Sequence, residues 1–300
     1  MDLSIIIVNW NTMELLARCL ASVYETAESL QFEVFVVDNG STDGSAAMVR
    51  ERFPQAHLIA NSKNMGFARA NNQAIRLSGG RYVLLLNSDT EVCPDALESL
   101  VAFIDTHPEA GATGARLLNA DGTLQPSCHP TLTPWREFWR LLFLERIQRR
   151  ATYDMAHWDL RTPREVEVIK GACLMLRREG LDQVGLMDER YFMYTEEMDL
   201  CYRLRRAGWR LYWVPEARVV HYEEGSTRQV AEPMYIQLYR SKVQFYRKSG
   251  GEGQARLFKA LLGLAYLPRF FLAMVSSPLA PAMAARARTY RRLLAELPAM

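Results

Sequence analysis

The sequence predicts an α/β protein: an open mixed sheet flanked by helices, with a helical, amphipathic extension at the C-terminal end. Three observations predict it. Short apolar runs end repeatedly in polar, Asn- or Asp-bearing turns and lead into helical patterns. The run Tyr82–Leu86 is apolar without alternation, as in a strand buried on both faces, and stops at Asn87-Ser88-Asp89. Beyond Arg256 the chain is apolar with cations punctuating it. With 300 residues, 49% apolar and 23% charged, the chain has material for one large domain and an appendage. A net charge of +2 excludes a nucleic-acid coat, and the apolar content excludes a disordered chain. The five cysteines form no Cys-x-x-Cys pair, which suits free thiols in a reducing compartment. The chain enters its first strand without a basic leader, so a cytoplasmic protein is expected.

Taken in order, Leu3–Val8 is a continuous, β-branched strand ending at Asn9-Trp10-Asn11. Asn11 is placed to cap the helix that follows, with Glu14 reaching back. A second strand, Phe32–Val37, runs into Asp38-Asn39-Gly40-Ser41-Thr42-Asp43-Gly44-Ser45, a polar turn before the next helix. A third, His57–Ala60, leads through Asn64-Met65-Gly66-Phe67 to a helix carrying Ala68, Asn71, Asn72 and Ile75. Tyr82–Leu86 follows. Ligands of open α/β sheets bind at the carboxyl ends of the strands, and Asn9, Asp38 and Asp89 share that rim. Asp38 can accept the imide N–H of a uracil or thymine ring, or serve its own Asx-turn. Asp89 can hold a divalent cation through a hard oxygen ligand, or cap the helix announced by Pro94-Asp95. No Gly-x-Gly-x-x-Gly follows any strand, so a nicotinamide site lacks its phosphate turn.

In the second half, Gly111–Leu118 reads as a strand and Asn119-Ala120-Asp121-Gly122 as a hairpin turn, which Gln125 leaves. Pro134–Arg150 reads as a helix with five Arg against two Glu among aromatic residues, either a packing helix or one lying at a lipid interface. Val166–Leu176 reads as a strand, and the small Gly171 and Ala172 admit either a ligand or a neighbouring strand. Glu196, Glu197 and Asp199 open a helix, where the dipole favours carboxylates. One of them can act as a general base on a sugar hydroxyl. His221 closes a last strand, as a structural residue or as a ligand.

These pieces, in this order, resemble the family 2 glycosyltransferases of the GT-A fold, and in particular their bacterial rhamnosyltransferase-like branch, over residues 2–250. The resemblance implies an inverting transfer, dependent on Mg2+ or Mn2+, from a dTDP- or UDP-linked sugar to a glycan or lipid-linked acceptor. L-Rhamnose from dTDP-rhamnose is its first choice and a hexose from a UDP-sugar its second, in synthesis of bacterial surface polysaccharide. Carried residue by residue, it gives Val8, Asn9, Asn11, Asp38, Asn64, Phe67, Asn71, Asn87, Ser88 and Asp89 to the nucleotide sugar. It gives Asp89 and His221 to the metal, and Gly171, Ala172, Cys173, Glu196 and Asp199 to the acceptor. The general base falls on Glu197. Two positions depart from the family pattern: Glu197 stands where Asp is usual, and Asn87 where many relatives have Asp.

The expected division is a catalytic domain over 1–250, with a nucleotide-sugar half to 120 and an acceptor half from 121, and a tail over 251–300. The tail carries seven Lys/Arg against two Glu. Its longest charge-free run, Phe270–Ala285, is interrupted by Pro278 and Pro281 and falls short of a membrane span. An amphipathic segment on the inner face of the cell membrane or against a partner is expected instead, or a packing hairpin on the catalytic domain. Two rival readings differ in class. A sugar nucleotidyltransferase needs a basic, Gly-rich triphosphate loop after the first strand, and Asn9-Trp10-Asn11-Thr12 is not one. A catalytically silent nucleotide-sugar-binding protein has no use for Asp38, Asp89 and Glu197 together.

Overall fold

The structure, a computed structural model, describes residues 1–27, 29–148, 150–223, 231–276 and 280–300. Arg149 and Pro278, used above, lie outside the described residues. In chain order the elements are β1 (Leu3–Asn9), α1 (Met13–Thr26), β2 (Phe32–Asp38), α2 (Ser45–Arg52), β3 (His57–Ala60), α3 (Phe67–Leu77) and β4 (Tyr82–Asn87). There follow β5 (Thr90–Val92), α4 (Ala96–Thr106), β6 (Ala110–Leu118), β7 (Leu124–Gln125), β8 (Cys128–His129) and α5 (Pro134–Leu141). Then come β9 (Arg164–Glu165), β10 (Val168–Ile169), β11 (Cys173–Arg177), α6 (Arg178–Val184), α7 (Glu196–Arg206), β12 (Arg210–His221), α8 (Ala231–Ser276) and α9 (Pro281–Glu296).

The chain divides into two compact units: Met1–Thr131 with Tyr153–Gln229, and Leu132–Thr152 with Val230–Met300. The first is the α/β body. Its sheet has the order β3-β2-β1-β4-β11-β6-β12-β5, with β7 on β6 and β9 on β12. The first four strands are parallel, β11 runs against both β4 and β6, and β12 lies parallel to β6. β1 and β4, inside the sheet, bury Leu3, Ile5, Ile6, Ile7 and Tyr82 through Leu86 completely or nearly so. That two-sided burial is what their unbroken apolar runs announced. Removing one such side chain, as in Leu84→Ala, leaves a cavity and costs about 2–5 kcal/mol.

Several elements differ from the sequence reading. Asn11 has φ +54, and its Oδ1 accepts from Thr42 N rather than capping α1. The first-turn amide of Met13 is served instead by Asp43 of the next loop. The strand read over Val166–Leu176 is two strands, β10 and β11, so Gly171 and Ala172 sit in the turn between them. β5 was not foreseen. It pairs antiparallel with the end of β12, Thr90 opposite His221, and Asp89 therefore lies in a strand-to-strand turn. It caps no helix.

The second unit is helical. α5 is capped by Thr133, whose hydroxyl accepts from Arg136 N, and ends well before Arg150. The break is Phe143, at φ +58, followed by a short turn over Leu144–Arg146. α8 is broken at Gly251, whose φ of 77° and ψ of 179° are not helical, so the boundary expected at 250 falls inside this element. Phe245, Tyr246, Phe258, Leu262 and Leu293 form its buried interior. Among the described residues, one helical segment, Glu232–Ser276, passes for a membrane span by length and composition, with the break at Gly251 inside it. The charge-free run considered above, by contrast, is short of a span.

Candidate active site

The strand ends of the first unit are knitted into one rim by side chains. Asn9 Nδ2 donates to Asp38 Oδ1 and to Ser41 Oγ, both at 3.2 Å. Thr12 Oγ1 donates to Asn9 Oδ1 at 2.6 Å and lies 3.0 Å from Ser88 Oγ. Ser41 N donates to Asp38 Oδ2 at 3.1 Å, so Asp38 does close its own loop. With two of its four lone-pair directions used this way, the buried carboxylate retains acceptor capacity for a ligand. Asn39 amide donation to Asn64 Oδ1 at 2.9 Å ties the second loop to the third. Gly66, at φ +87, follows, and a Cβ there would lie 2.5 Å from Phe192 O. Only glycine fits that approach, which lets Phe67 N donate to Phe192 O at 2.7 Å. Asn71 is buried and donates to Phe67 O within α3. Val8 is half-buried at the end of β1, level with Val37 and Asn87.

The pairing of β5 with β12 brings Asp89 and His221 together. His221 Nε2 lies 3.3 Å from Asp89 Oδ1 and 3.3 Å from Asn87 Nδ2. The tautomer follows from Gln125. Its amide nitrogen donates to Asn119 Oδ1 and His221 O, each at 3.0 Å. Its Oε1, 2.7 Å from His221 Nδ1, is then the acceptor, so the ring proton sits on Nδ1. Nε2 is left with a lone pair turned toward a carboxylate oxygen. Asn87 Nδ2 donates to that lone pair at 3.3 Å, and a cation beside Asp89 Oδ1 would be a further partner for the two acceptors. A carboxylate and a neutral imidazole whose far nitrogen is pinned by a hydrogen bond form a donor pair suited to Mg2+ or Mn2+. Among the described residues there is no cluster of three or more His, Cys, Asp or Glu placed to hold a metal, so further ligands would come from the substrate.

At the start of α7 the three acids separate by role. Asp199 is buried and paired with Arg203 Nε at 2.8 Å, and Arg203 also donates to the carbonyls of Val184, Gly185 and Leu186. It is a brace. Glu196 is 3% exposed; burial pushes its carboxyl well above the ordinary range, and the neighbouring Glu197 charge adds to this. Burial raises Glu197 too, opposed by backbone hydrogen bonds and by the charge of Lys170. Oε2 of each has no hydrogen-bond partner among the described residues. Two adjacent buried carboxyls resist being charged together, so the pair favours holding at least one proton.

Gly171 lies beside it: a Cβ there would be 3.7 Å from the Phe67 ring and 3.8 Å from Glu197 Cβ. The structure thus brings Phe67, Gly171 and Glu197 into one neighbourhood. The side chains of Ala172 and Cys173 are buried, and burial lifts the Cys173 thiol to about 12. Only their backbones can meet a ligand, and Ala172 O already accepts from Asn87 N at 3.0 Å. Sequence reasoning missed Gln125 and Lys170. A glutamine leaving a hairpin and a lysine before a glycine carry no signal until the fold sets them beside His221 and Glu197.

Residues 4–185 match the family described as Glycosyl transferase family 2. The chain is 31% identical, over 250 residues, to the N-acetylglucosaminyl-diphospho-decaprenol L-rhamnosyltransferase of Mycobacterium tuberculosis, covering 75% of this chain and 77% of the relative. It is 26% identical over 170 residues to the rhamnosyltransferase WbbL of Escherichia coli K12, covering 54% of this chain and 63% of that one. Two solved structures share the fold. The mannosyltransferase PcManGT from Pyrobaculum calidifontis in complex with GDP-Man and Mn2+ has TM-score 0.56 and 19% identity, covering 98% of this chain and 85% of that one. GalNAc-T7 with UDP, GalNAc and Mn2+ has TM-score 0.56 and 17% identity over 82% of this chain, which spans half of that protein's length. The order of motifs, the GT-A sheet and these matches agree: the chain belongs to glycosyl transferase family 2 and is a glycosyltransferase.

Proposed function

We propose that this enzyme transfers L-rhamnose from dTDP-rhamnose, with inversion, to a lipid-linked saccharide during synthesis of bacterial surface polysaccharide. The observation that carries the reading is the convergence of Asp89, His221 and Asn87 on the sheet rim that also carries Asp38. The names of the Mycobacterium tuberculosis and Escherichia coli relatives support the sugar, and the first of them the acceptor. Asp38 accepts the imide N–H of thymine, and the rim loops enclose the nucleoside.

Asp89 and His221 hold the divalent cation, which when bound offsets the charge that grows on the leaving diphosphate. Glu197 takes the proton of the acceptor hydroxyl as that oxygen attacks the anomeric carbon from the face opposite the diphosphate. A single displacement of this kind needs one base and no protein nucleophile. Glu196 keeps its proton and so leaves Glu197 as the only charge at the start of α7 that the acceptor meets. Asp199 holds the helix in place through Arg203. The protein works at the inner face of the cell membrane, where a lipid-linked acceptor resides.

A transfer assay with dTDP-rhamnose, UDP-hexoses and GDP-mannose, against a polyprenyl-diphosphate-linked N-acetylglucosamine acceptor with and without Mn2+, tests this. Metal-dependent product from dTDP-rhamnose alone is the expected result. Product from GDP-mannose in preference to both pyrimidine donors would overturn the base assignment to Asp38.

A further inference from the structure

The helical unit contains a cavity of about 430 Å³ walled by Arg140, Arg146, Arg269 and a group of tyrosines. Tyr266 is the hub. Its hydroxyl is hydrogen-bonded to those of Tyr235 and, at 2.5 Å, Tyr239, and the ring of Tyr290 packs 5.3 Å from its own. Burial pushes the three linked phenols up, so each keeps its proton. Three hydroxyl protons serve two hydrogen bonds. Whichever way the bonds run, one O–H of the three is left over to donate to an occupant.

The charge of the wall is one-sided. Arg140 is paired with Glu137, but Glu137 also takes Lys242, so two cations share one carboxylate. Arg269 lies over the rings of Phe143 and Tyr266 and spends two N–H groups on the carbonyls of Ala265 and Leu141. Neither it nor Arg146 has a carboxylate partner among the described residues. Glu145, the one acid in the wall, accepts instead from Arg150 N, Ala151 N and the Thr152 hydroxyl. A concave site with guanidinium groups and a spare phenol proton suits a phosphate.

Around this site the surface is apolar. Leu264, Leu267, Phe271 and Val275 recur along α8 at spacings that place them on one stripe, and are 62%, 48%, 53% and 73% exposed. Tyr266 and Arg269 lie on the other side of the same helix. Phe143 and Ile147, next to the cavity wall, are 58% and 82% exposed. A helix that is apolar on its outer as well as its inner side is not finished by water. The exposed cations of α9, among them Arg286, Arg288 and Arg291, match an anionic membrane surface.

We infer that the helical unit is a receptor for a phosphorylated polyprenyl lipid, its phosphate held in the Tyr266–Arg269–Arg140 cavity and its chain in the bilayer that the α8 stripe enters. The inference rests on the lipid-linked acceptor proposed above. The test is flotation of the full-length protein with phosphatidylcholine vesicles in three forms: plain, doped with polyprenyl phosphate, or doped with phosphatidylglycerol to equal surface charge. Polyprenyl phosphate should bind the protein best, and Arg269→Gln should weaken that binding about tenfold, to the phosphatidylglycerol level. Arg146→Gln, at an exposed position that cannot collapse the fold, should reduce the same preference. Equal binding to both anionic vesicles, an unaltered preference in both variants, or full competition by inorganic phosphate would overturn the inference. Asp89→Ala should float as the parent does. Vesicle binding by the parent protein without any sugar transfer would sink the transfer reading and leave this one standing.

Discussion

Glu197→Gln tests the division of labour at the start of α7. The amide is nearly isosteric, and Oε2 of Glu197 has no hydrogen-bond partner among the described residues, so the exchange breaks no bond of that atom. It also removes a carboxylate that burial disfavours, so the fold should be as stable as the parent or more so. What is lost is basicity. General-base removal costs about 10²–10⁴ in kcat, or about 3–5 kcal/mol of barrier, while the KM for the sugar nucleotide stays within about threefold because Glu197 is not on the nucleotide rim. The pH profile carries a second check. Burial holds the Glu197 pKa above the ordinary carboxylate range, so the acid limb of kcat/KM in the parent should fall there and not lower. Steady-state kinetics with saturating acceptor, supported by a urea melt of each variant, reads all of this. A Glu197→Gln enzyme that keeps kcat within about threefold of the parent, or a parental acid limb at the ordinary glutamate pKa, would refute the assignment.

Glu196→Gln should behave differently. The folded-state pKa of Glu196 is raised above its unfolded value, so its contribution to stability is present below the unfolded pKa and is lost as pH rises through the folded one. Glutamine has no such loss, and the variant should gain on the parent in urea melts across that window, with a flat difference at lower pH as the check. Asp89→Ala should abolish Mn2+-dependent transfer while leaving the melt unchanged to within about 1 kcal/mol, since the carboxylate's one described side-chain partner is His221. Gln125→Leu frees the His221 tautomer and should weaken Mn2+ binding, followed by electron paramagnetic resonance, by about 10–100-fold. In the helical unit, burial lowers the Lys242 pKa to about 8, a charging cost of about 3 kcal/mol against an ordinary lysine. Lys242→Met leaves Glu137 paired with Arg140 and should be neutral to stabilising, and should abolish the rise in parental stability between about pH 8 and 10. Glu137→Gln strands two cations and should cost about 3–5 kcal/mol.

The strand-end rim of the candidate site was legible because its polar residues sit where strands end. An apolar run followed at once by Asn9, Asp38 or Asp89 places each residue on a known edge without further information. The parallel order β3-β2-β1-β4 follows from the alternation of strands and helices. What could not be read is pairing at long range. β5 is three residues with no apolar signature of its own, and nothing local says that Thr90 meets His221, more than a hundred residues on. The Asn11 cap failed for a related reason: Asp43 of a neighbouring loop outcompeted the local side chain for the α1 terminus. Likewise Pro134–Arg150 keeps its helical spacing past Leu141, but Phe143 turns left-handed and the pattern continues without the helix.

The cost of the site is concentrated in four consecutive residues. Tyr194 and Thr195 have φ of 66° and 74°, a left-handed pair without glycine, and each such residue stores about 1–3 kcal/mol. Glu196 and Glu197 follow directly, each with a carboxylate oxygen lacking a described partner. A chain this uphill relaxes unless its surroundings fix it on both sides. On the N-terminal side, Asn72 clamps the approach, with Nδ2 on Met187 O at 2.8 Å and Oδ1 taking Met187 N at 3.1 Å. Glu189 is held in turn by Asn72, Arg76 and Arg69, and Phe192 O receives Phe67 N. On the C-terminal side, Asp199 and Arg203 lock the first turns of α7 to the carbonyls of Val184, Gly185 and Leu186 at the end of α6. The elements that hold the proposed base are therefore next to the strand-end rim, since Phe67 and Asn72 both belong to α3, beside the Asn64–Gly66 turn. With Oε2 of Glu197 lacking a described partner beside Phe67 and Gly171, that oxygen suits the acceptor proton of the proposed reaction, and α3 ties its position to the Asn64–Gly66 turn.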